Sequence, residues 1–152
     1  MALRVPPIFV VFIAGLLIWA VARYLPFAPI LIPGNNLAAG LLAAIGAVVI
    51  VLGVAAFRRA KTTLNPLQPG DASVLVASGI YRFSRNPMYL GFAILLLAWV
   101  IYLSAWPAVL VVAAYVAYMS RFQIKPEERA LGARFGQAFV EYKQAVPRWI
   151  WF

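Results

Sequence analysis

The chain has 152 residues, of which 65% are hydrophobic and 11% are charged, and it carries a net charge of +9. Soluble domains average about 45–50% apolar and about 25% charged residues, so this composition excludes an ordinary soluble domain and predicts a single integral-membrane domain, residues 1–152. The lack of cysteine and histidine excludes disulfides, cysteine nucleophiles and imidazole bases, and no metal site is predicted.

Four apolar runs predict an all-α, polytopic membrane helix bundle of about four spans. They contain 18, 21, 17 and 16 residues and cover 5–22, 37–57, 88–104 and 105–120. A spanning helix needs roughly 20 residues, so the two short runs are expected to form a tight helical hairpin. The turn between them holds Trp106, which suits the membrane interface, and Pro107, which suits the first turn of a helix.

Lysine and arginine predict the orientation of these spans. Twelve of the thirteen fall on one side if both termini are cytoplasmic, and Arg23 alone falls on the other. The loop 61–87 and the segment 121–152 are then cytoplasmic, and a bacterial inner membrane is expected. Because the basic residues flank apolar runs, membrane lipids rather than nucleic acid account for the charge. A cleaved secretory signal is a second interpretation of the first span, since Ala20, Val21 and Ala22 resemble a cleavage site.

Small residues line one face of the second span. Gly46 and Gly53 are seven residues apart and therefore share a helix face, with Gly40, Ala43 and Ala47 nearby. Small residues allow helices to approach closely in lipid. We expect that face to pack within the chain, and a homodimer through it is the alternative.

Hydrogen-bonding side chains gather where the third span begins. Asn86 is predicted to cap that helix and Pro87 to take its first position, with a small notch at Gly91. A helix N-terminus beside two guanidinium groups favours binding of an anion. The plainer interpretation is that Arg82 and Arg85 set the topology and that Tyr89 belongs to the aromatic belt at the membrane interface. The side chains concerned are Tyr81, Arg82, Arg85, Asn86 and Tyr89.

The segment 121–152 changes character, because it holds six of the thirteen basic residues and three of the four acids. Residues 125–128 predict the start of one amphipathic helix, which would lie on the membrane surface or fold back against the spans. Pro147 is expected to end this helix, and Trp149, Trp151 and Phe152 to anchor at the interface. Its apolar stripe consists of Leu131, Phe135, Phe139 (or Ala138), Tyr142 and Val146.

Glu127 and Glu128 stand side by side in the first turn of this helix. Adjacent carboxylates on a helix point in different directions, so one is expected to face a site and the other solvent or an arginine. Favourable interaction with the helix dipole is the alternative explanation for both.

Three motifs in this order resemble the isoprenylcysteine carboxyl methyltransferase family, whose looser relatives include membrane phospholipid N-methyltransferases. The first is Arg-Asn-Pro-Met-Tyr-Leu-Gly at 85–91, and the second is Glu-Glu-x-x-Leu at 127–131. The third combines Phe-Gly at 135–136, Glu-Tyr at 141–142 and Val-Pro at 146–147. The resemblance covers about residues 61–148. The sequence departs from the family at Asn86, where many members have histidine, and at Phe139, where many have tyrosine after acids that are here Gln137 and Ala138.

The resemblance implies a membrane enzyme that binds S-adenosylmethionine at the cytoplasmic ends of its last spans, under a covering C-terminal segment. It implies that Glu127 or Glu128 binds the ribose hydroxyls or the amino group of this cofactor. It also implies that Arg82 and Arg85 act in catalysis by meeting the methionine carboxylate or an anionic acceptor. The other implied cofactor-binding residues are Tyr81, Asn86, Tyr89, Gly91 and Tyr142.

The predicted function is methyl transfer from S-adenosylmethionine to a lipid-like or prenylated acceptor. A carboxylate acceptor is favoured, because it is already deprotonated and needs no histidine base. A membrane reductase with a nicotinamide cofactor is one alternative. A small non-enzymatic scaffold or transporter subunit is another, although the absence of charge within the spans counts against transport.

Overall fold

A computed structural model describes residues 5–25, 34–60 and 73–150. All regular structure in these ranges is helical, which confirms the predicted all-α class. Short 3₁₀ turns at Gly79–Arg82 and Trp106–Ala108 precede the third and fourth α-helices. The α-helices are α1 (Pro7–Tyr24), α2 (Asn35–Arg59), α3 (Pro87–Tyr102), α4 (Val109–Tyr118), α5 (Lys125–Phe135) and α6 (Gln137–Ala145).

Three helices of the described chain are long and apolar enough to cross a membrane, as expected for an integral membrane protein. They are α1, α2 and a continuous helix over Trp106–Phe135 that contains α4 and α5. The third predicted span forms α3, which is apolar but only 16 residues long. It packs along α2 and also touches α1 and α4. The loop residues 61–72 lie outside the described ranges. The predicted orientation of the spans across the membrane stays a prediction.

Glycines bring α2 and α3 into close contact. A Cβ atom placed on Gly91 would lie 2.5 Å from Ile50 Cγ1 and 2.7 Å from the Gly46 carbonyl oxygen. A Cβ atom on Gly53 would lie 2.7 Å from Met88 Cγ. Gly46 and Gly53 on α2 therefore pack against α3 within the chain, and the homodimer alternative stays a prediction. The same packing fills the notch predicted at Gly91, because α2 occupies it.

The predicted hairpin turn lies between α3 and α4. Ser104 adopts a positive φ of 52°, and the 3₁₀ turn that follows carries Pro107 in its first positions. Asn35 Nδ2, at the first residue of α2, donates to Ser104 Oγ at 3.0 Å. This contact ties the beginning of α2 to the hairpin.

α5 begins at Lys125, as predicted, but it continues the preceding helix without a break. α4 continues through a π-helical segment, Met119–Ile124, directly into α5, which carries Pro126 near its start. A proline inside a regular α-helix removes a hydrogen bond and crowds the preceding turn. The wider π-helical turns let the chain continue past it, and such segments often lie at functional sites.

The single amphipathic helix predicted for the C-terminal segment is instead two helices. Gly136 separates α5 from α6 with a φ of 53°, a left-handed conformation that favours glycine. Trp149 does not anchor at an interface: it is 7% exposed, and its Nε1 donates to Ser120 Oγ at 3.0 Å. Trp151 and Phe152 lie outside the described residues.

Candidate functional site

A cavity of about 110 Å³ lies where the turn before α3, the beginning of α5 and the face of α6 meet. Its walls include seven of the nine residues that the sequence predicted for the site. Arg82 and Gly91 do not line it: Arg82 is exposed, and Gly91 is buried against α2. The seven predicted residues in the walls are Tyr81, Arg85, Asn86, Tyr89, Glu127, Glu128 and Tyr142.

Asn86 takes the predicted N-cap position of α3, but its side chain does not cap the helix. Its Nδ2 donates instead to the Arg148 carbonyl oxygen at 2.9 Å. Its backbone N–H donates to Ser84 Oγ at 3.1 Å, and Ser84 Oγ in turn donates to the same Arg148 oxygen at 3.3 Å. The Arg85 backbone N–H donates to the Pro147 carbonyl oxygen at 3.0 Å. The turn before α3 is thus fastened to the chain that follows α6.

Glu127 forms the first polar group of the cavity, and its partners in the described chain are neutral. Tyr89 Oη donates to Glu127 Oε1 at 2.6 Å, and Gln123 Nε2 donates to the same oxygen at 2.6 Å. The apolar part of the long helix ends before Arg121, so Glu127 lies in the charged stretch beyond it. Burial raises the pKa of Glu127 from 4.5 to about 7, with the two hydrogen bonds acting in the opposite direction.

Glu128 forms the second polar group, together with two arginines. Arg148 binds it through two bonds, Nε to Oε1 at 3.0 Å and Nη2 to Oε2 at 2.7 Å. Arg85 Nη2 lies 3.0 Å from Oε1. The side chains of Arg85 and Glu128 are only 9% and 11% exposed, so this ion pairing takes place largely away from water. One carboxylate and two guanidinium groups leave a net charge of +1 on the trio.

Arg85 is held on a third side by the Lys143 carbonyl oxygen, which accepts from Nη1 at 3.3 Å. Its buried Nε has no acceptor in the part of the chain that the structure describes. Burial lowers the pKa of Arg85, while the Glu128 carboxylate opposes that shift. Arg148 is less buried, and its bonds to Glu128 raise its pKa.

Aromatic and aliphatic side chains complete the cavity. Tyr142 Oη donates to the Tyr81 carbonyl oxygen at 2.8 Å, and the Tyr81 ring packs edge-to-face on Phe57 at 5.4 Å. Burial raises the pKa of both tyrosines above the ordinary value, so they stay neutral. The remaining apolar walls come from Val74, Leu75, Val76, Met88, Leu131 and Phe139.

Besides the apolar walls, two polar residues that hold the charged groups of this site were not predicted from the sequence. Gln123 stands four residues before Glu127, a spacing that places both on one helix face and could have indicated the contact. Arg148 gave no such local signal, because it lies 20 residues from Glu128 and beyond two helices. The arrangement as a whole offers a carboxylate for a cationic group and a surplus guanidinium charge for an anionic group.

Comparison with known proteins gives an independent result. An uncharacterized protein of Haemophilus influenzae is 40% identical over 63 residues, which are 41% of this chain and 100% of that relative. No solved structure matches the chain. A profile of the phospholipid methyltransferase family matches residues 35–138, which include α2, α3, α4 and α5. Since the match covers more than half of the 152 residues, the chain belongs to the phospholipid methyltransferase family, which points to a membrane methyltransferase.

Proposed function

We propose that the protein transfers a methyl group from S-adenosylmethionine to a lipid-like or prenylated acceptor in the membrane. The observation that carries this proposal is the pairing of Glu127, whose described partners are neutral, with the positively charged trio in one cavity. S-adenosylmethionine carries an ammonium group and a sulfonium beside a carboxylate. Its amino acid moiety therefore needs one anionic and one cationic partner, and this cavity supplies both.

Of the two adjacent glutamates, Glu127 is the one we assign to the cofactor. Glu128 is already bound by two arginines, whereas among the described residues Glu127 accepts from a phenol and an amide. An ammonium group brought to Glu127 would gain a charge-assisted hydrogen bond in a poorly hydrated place. The carboxylate of the cofactor would bind Arg85, because the side chain of Arg85 is more deeply buried than that of Arg148, the other arginine of the trio.

The cavity is smaller than its proposed ligand. Sites for ligands of this size occupy about 300–1,000 Å³, against about 110 Å³ here. The walls must therefore move apart on binding, or the cofactor must extend beyond the enclosed space. The apolar wall formed by Phe57, Met88 and Val76 would face an apolar acceptor that arrives from the bilayer.

The acceptor we favour is a carboxylate, which gives a methyl ester. In that reaction the carboxylate oxygen displaces the sulfide from the methyl carbon, and no proton moves. A second candidate is N-methylation of a lipid amine, and one observation favours it. Because the pKa of Glu127 is raised to about 7, this carboxylate could accept the proton that an ammonium acceptor must lose before it attacks, and in that case Glu127 would serve the acceptor instead of the ammonium group of the cofactor.

Ligand binding tests the proposal first. The purified protein in detergent is titrated calorimetrically with S-adenosylhomocysteine and, in parallel, with NADPH. Binding of the first alone supports a methyltransferase, binding of NADPH alone supports the reductase alternative, and binding of neither supports a scaffold. The acceptor is then identified by supplying radiolabelled S-adenosylmethionine with either a prenylated cysteine or phosphatidylethanolamine vesicles. Base treatment releases volatile label from a methyl ester but not from an N-methyl group.

A further inference from the structure

One residue outside the family match joins two walls of the cavity. The guanidinium group of Arg148 binds Glu128 at the beginning of α5, at 3.0 and 2.7 Å. The carbonyl oxygen of Arg148 accepts from Ser84 Oγ and Asn86 Nδ2, in the turn before α3. The family match ends at residue 138, so the comparison says nothing about this connection.

The neighbours of Arg148 strengthen the same connection. The Pro147 carbonyl oxygen accepts from the Arg85 backbone N–H at 3.0 Å. Trp149 is buried, and its Nε1 reaches Ser120 on the π-helical segment at 3.0 Å. Three consecutive residues thus bind the turn before α3, the first turn of α5 and the π-helical segment.

The two bonds from Arg148 fix the direction of the Glu128 carboxylate. A guanidinium group matches a carboxylate with two parallel bonds and so sets its orientation as well as its charge. Glu128 also binds Arg85 at 3.0 Å, so its position decides where the Arg85 guanidinium lies in the cavity. If the Arg148 bonds are lost, Arg85 is the remaining described cation on a buried carboxylate and is drawn towards it.

We propose that Arg148 is a positioning residue of the ligand site, which acts through Glu128 to hold the Arg85 guanidinium available to an anionic group. The C-terminal segment 146–149 is then a wall that the site requires. This inference rests on the proposed function, because the ligand used to test it is that of a methyltransferase.

The test measures binding and stability separately in the wild type and in each variant. Arg148→Met removes the charge and both bonds, and Arg148→Lys keeps the charge but cannot form the two parallel bonds. Arg129→Met is the matched control, since Arg129 is exposed and lies beside Glu128. Each variant and the wild type are titrated with S-adenosylhomocysteine, and the unfolding temperature without ligand is recorded.

We expect Arg148→Met to weaken binding by about tenfold or more, Arg148→Lys to lie between it and the wild type, and Arg129→Met to stay within about twofold. Combining Arg148→Met with Glu128→Gln should weaken binding little beyond Glu128→Gln alone, because both changes break one connection. If Arg148→Met and Arg148→Lys lower only the unfolding temperature and bind as the wild type does, the residue is merely structural and the inference is wrong. If the wild type does not bind, the proposed function fails and this assignment fails with it.

Discussion

The raised pKa of Glu127 should make the free energy of unfolding depend on pH, even without a ligand. Its pKa is about 7 in the folded protein against 4.5 as the ordinary value. Between these values the unfolded chain has lost its proton while the folded chain keeps it. The free energy of unfolding therefore falls as pH rises from about 4.5 to about 7, and the loss is complete above that range.

The size of this loss follows from the two pKa values. Their difference corresponds to about 3 kcal/mol at pH 8, and to about 1 kcal/mol at pH 5. Glu127→Gln removes the titrating group, and the glutamine carbonyl can still accept from Tyr89 and Gln123. We therefore expect the variant to be more stable than the wild type by up to about 3 kcal/mol at pH 8, and by only about 1 kcal/mol at pH 5.

Thermal unfolding in detergent at both pH values measures this effect. For a chain of this length, about 3 kcal/mol corresponds to a rise in unfolding temperature of roughly 6–12 °C. Glu141→Gln is the control, because Glu141 is an exposed glutamate on α6 and should give little change at either pH. A variant that is no more stable than the wild type at pH 8, or equally shifted at both pH values, would refute this reasoning.

Three further predictions concern ligand binding and packing. The affinity of the wild type for S-adenosylhomocysteine should rise about tenfold between pH 6 and pH 8, because Glu127 must lose its proton to bind an ammonium group; calorimetry that shows no change would contradict that pairing. Arg85→Met should weaken the same binding by about tenfold while Arg82→Met leaves it unchanged, since only Arg85 lines the cavity; equal losses in the two variants would contradict the geometry. Gly91→Leu should prevent stable folding rather than block a ligand, because even a Cβ would lie 2.5 Å from Ile50; size-exclusion chromatography checks this against Gly15→Ala, where a Cβ would meet nothing within 4 Å.

The sequence predicted the helices well because apolar runs decide where a chain can cross a bilayer. The runs at 5–22 and 37–57 correspond to α1 and α2, and the hairpin turn lies where Trp106 and Pro107 indicated. Residue patterns predicted less well whether two neighbouring helices are separate or continuous. The Lys-Pro-Glu-Glu stretch has the signals of a helix start, but the preceding π-helical segment makes it the middle of a longer helix.

Most of the site could be found from motif spacing, because its residues lie in short segments. What could not be found depends on contacts between distant elements. Gly91 was assigned to the cofactor because a glycine beside a tyrosine leaves space, yet α2 fills that space. Arg82 and Arg85 are equivalent in the sequence, and only the 3₁₀ turn before α3 separates an exposed arginine from one that faces Glu128. Arg148 lies 20 residues after Glu128 in the sequence, and only the tertiary fold brings the two side chains together.

If Glu127 faces the cationic part of S-adenosylmethionine in this cavity, its carboxylate contributes directly to ligand binding. The most direct test is a calorimetric titration of S-adenosylhomocysteine at pH 8 into the wild type and Glu127→Gln. We expect binding by the wild type and a loss of about tenfold or more in the variant, although the variant is the more stable protein at that pH. Equal binding by both proteins would contradict the assignment of Glu127, and binding by neither would contradict the methyltransferase site itself.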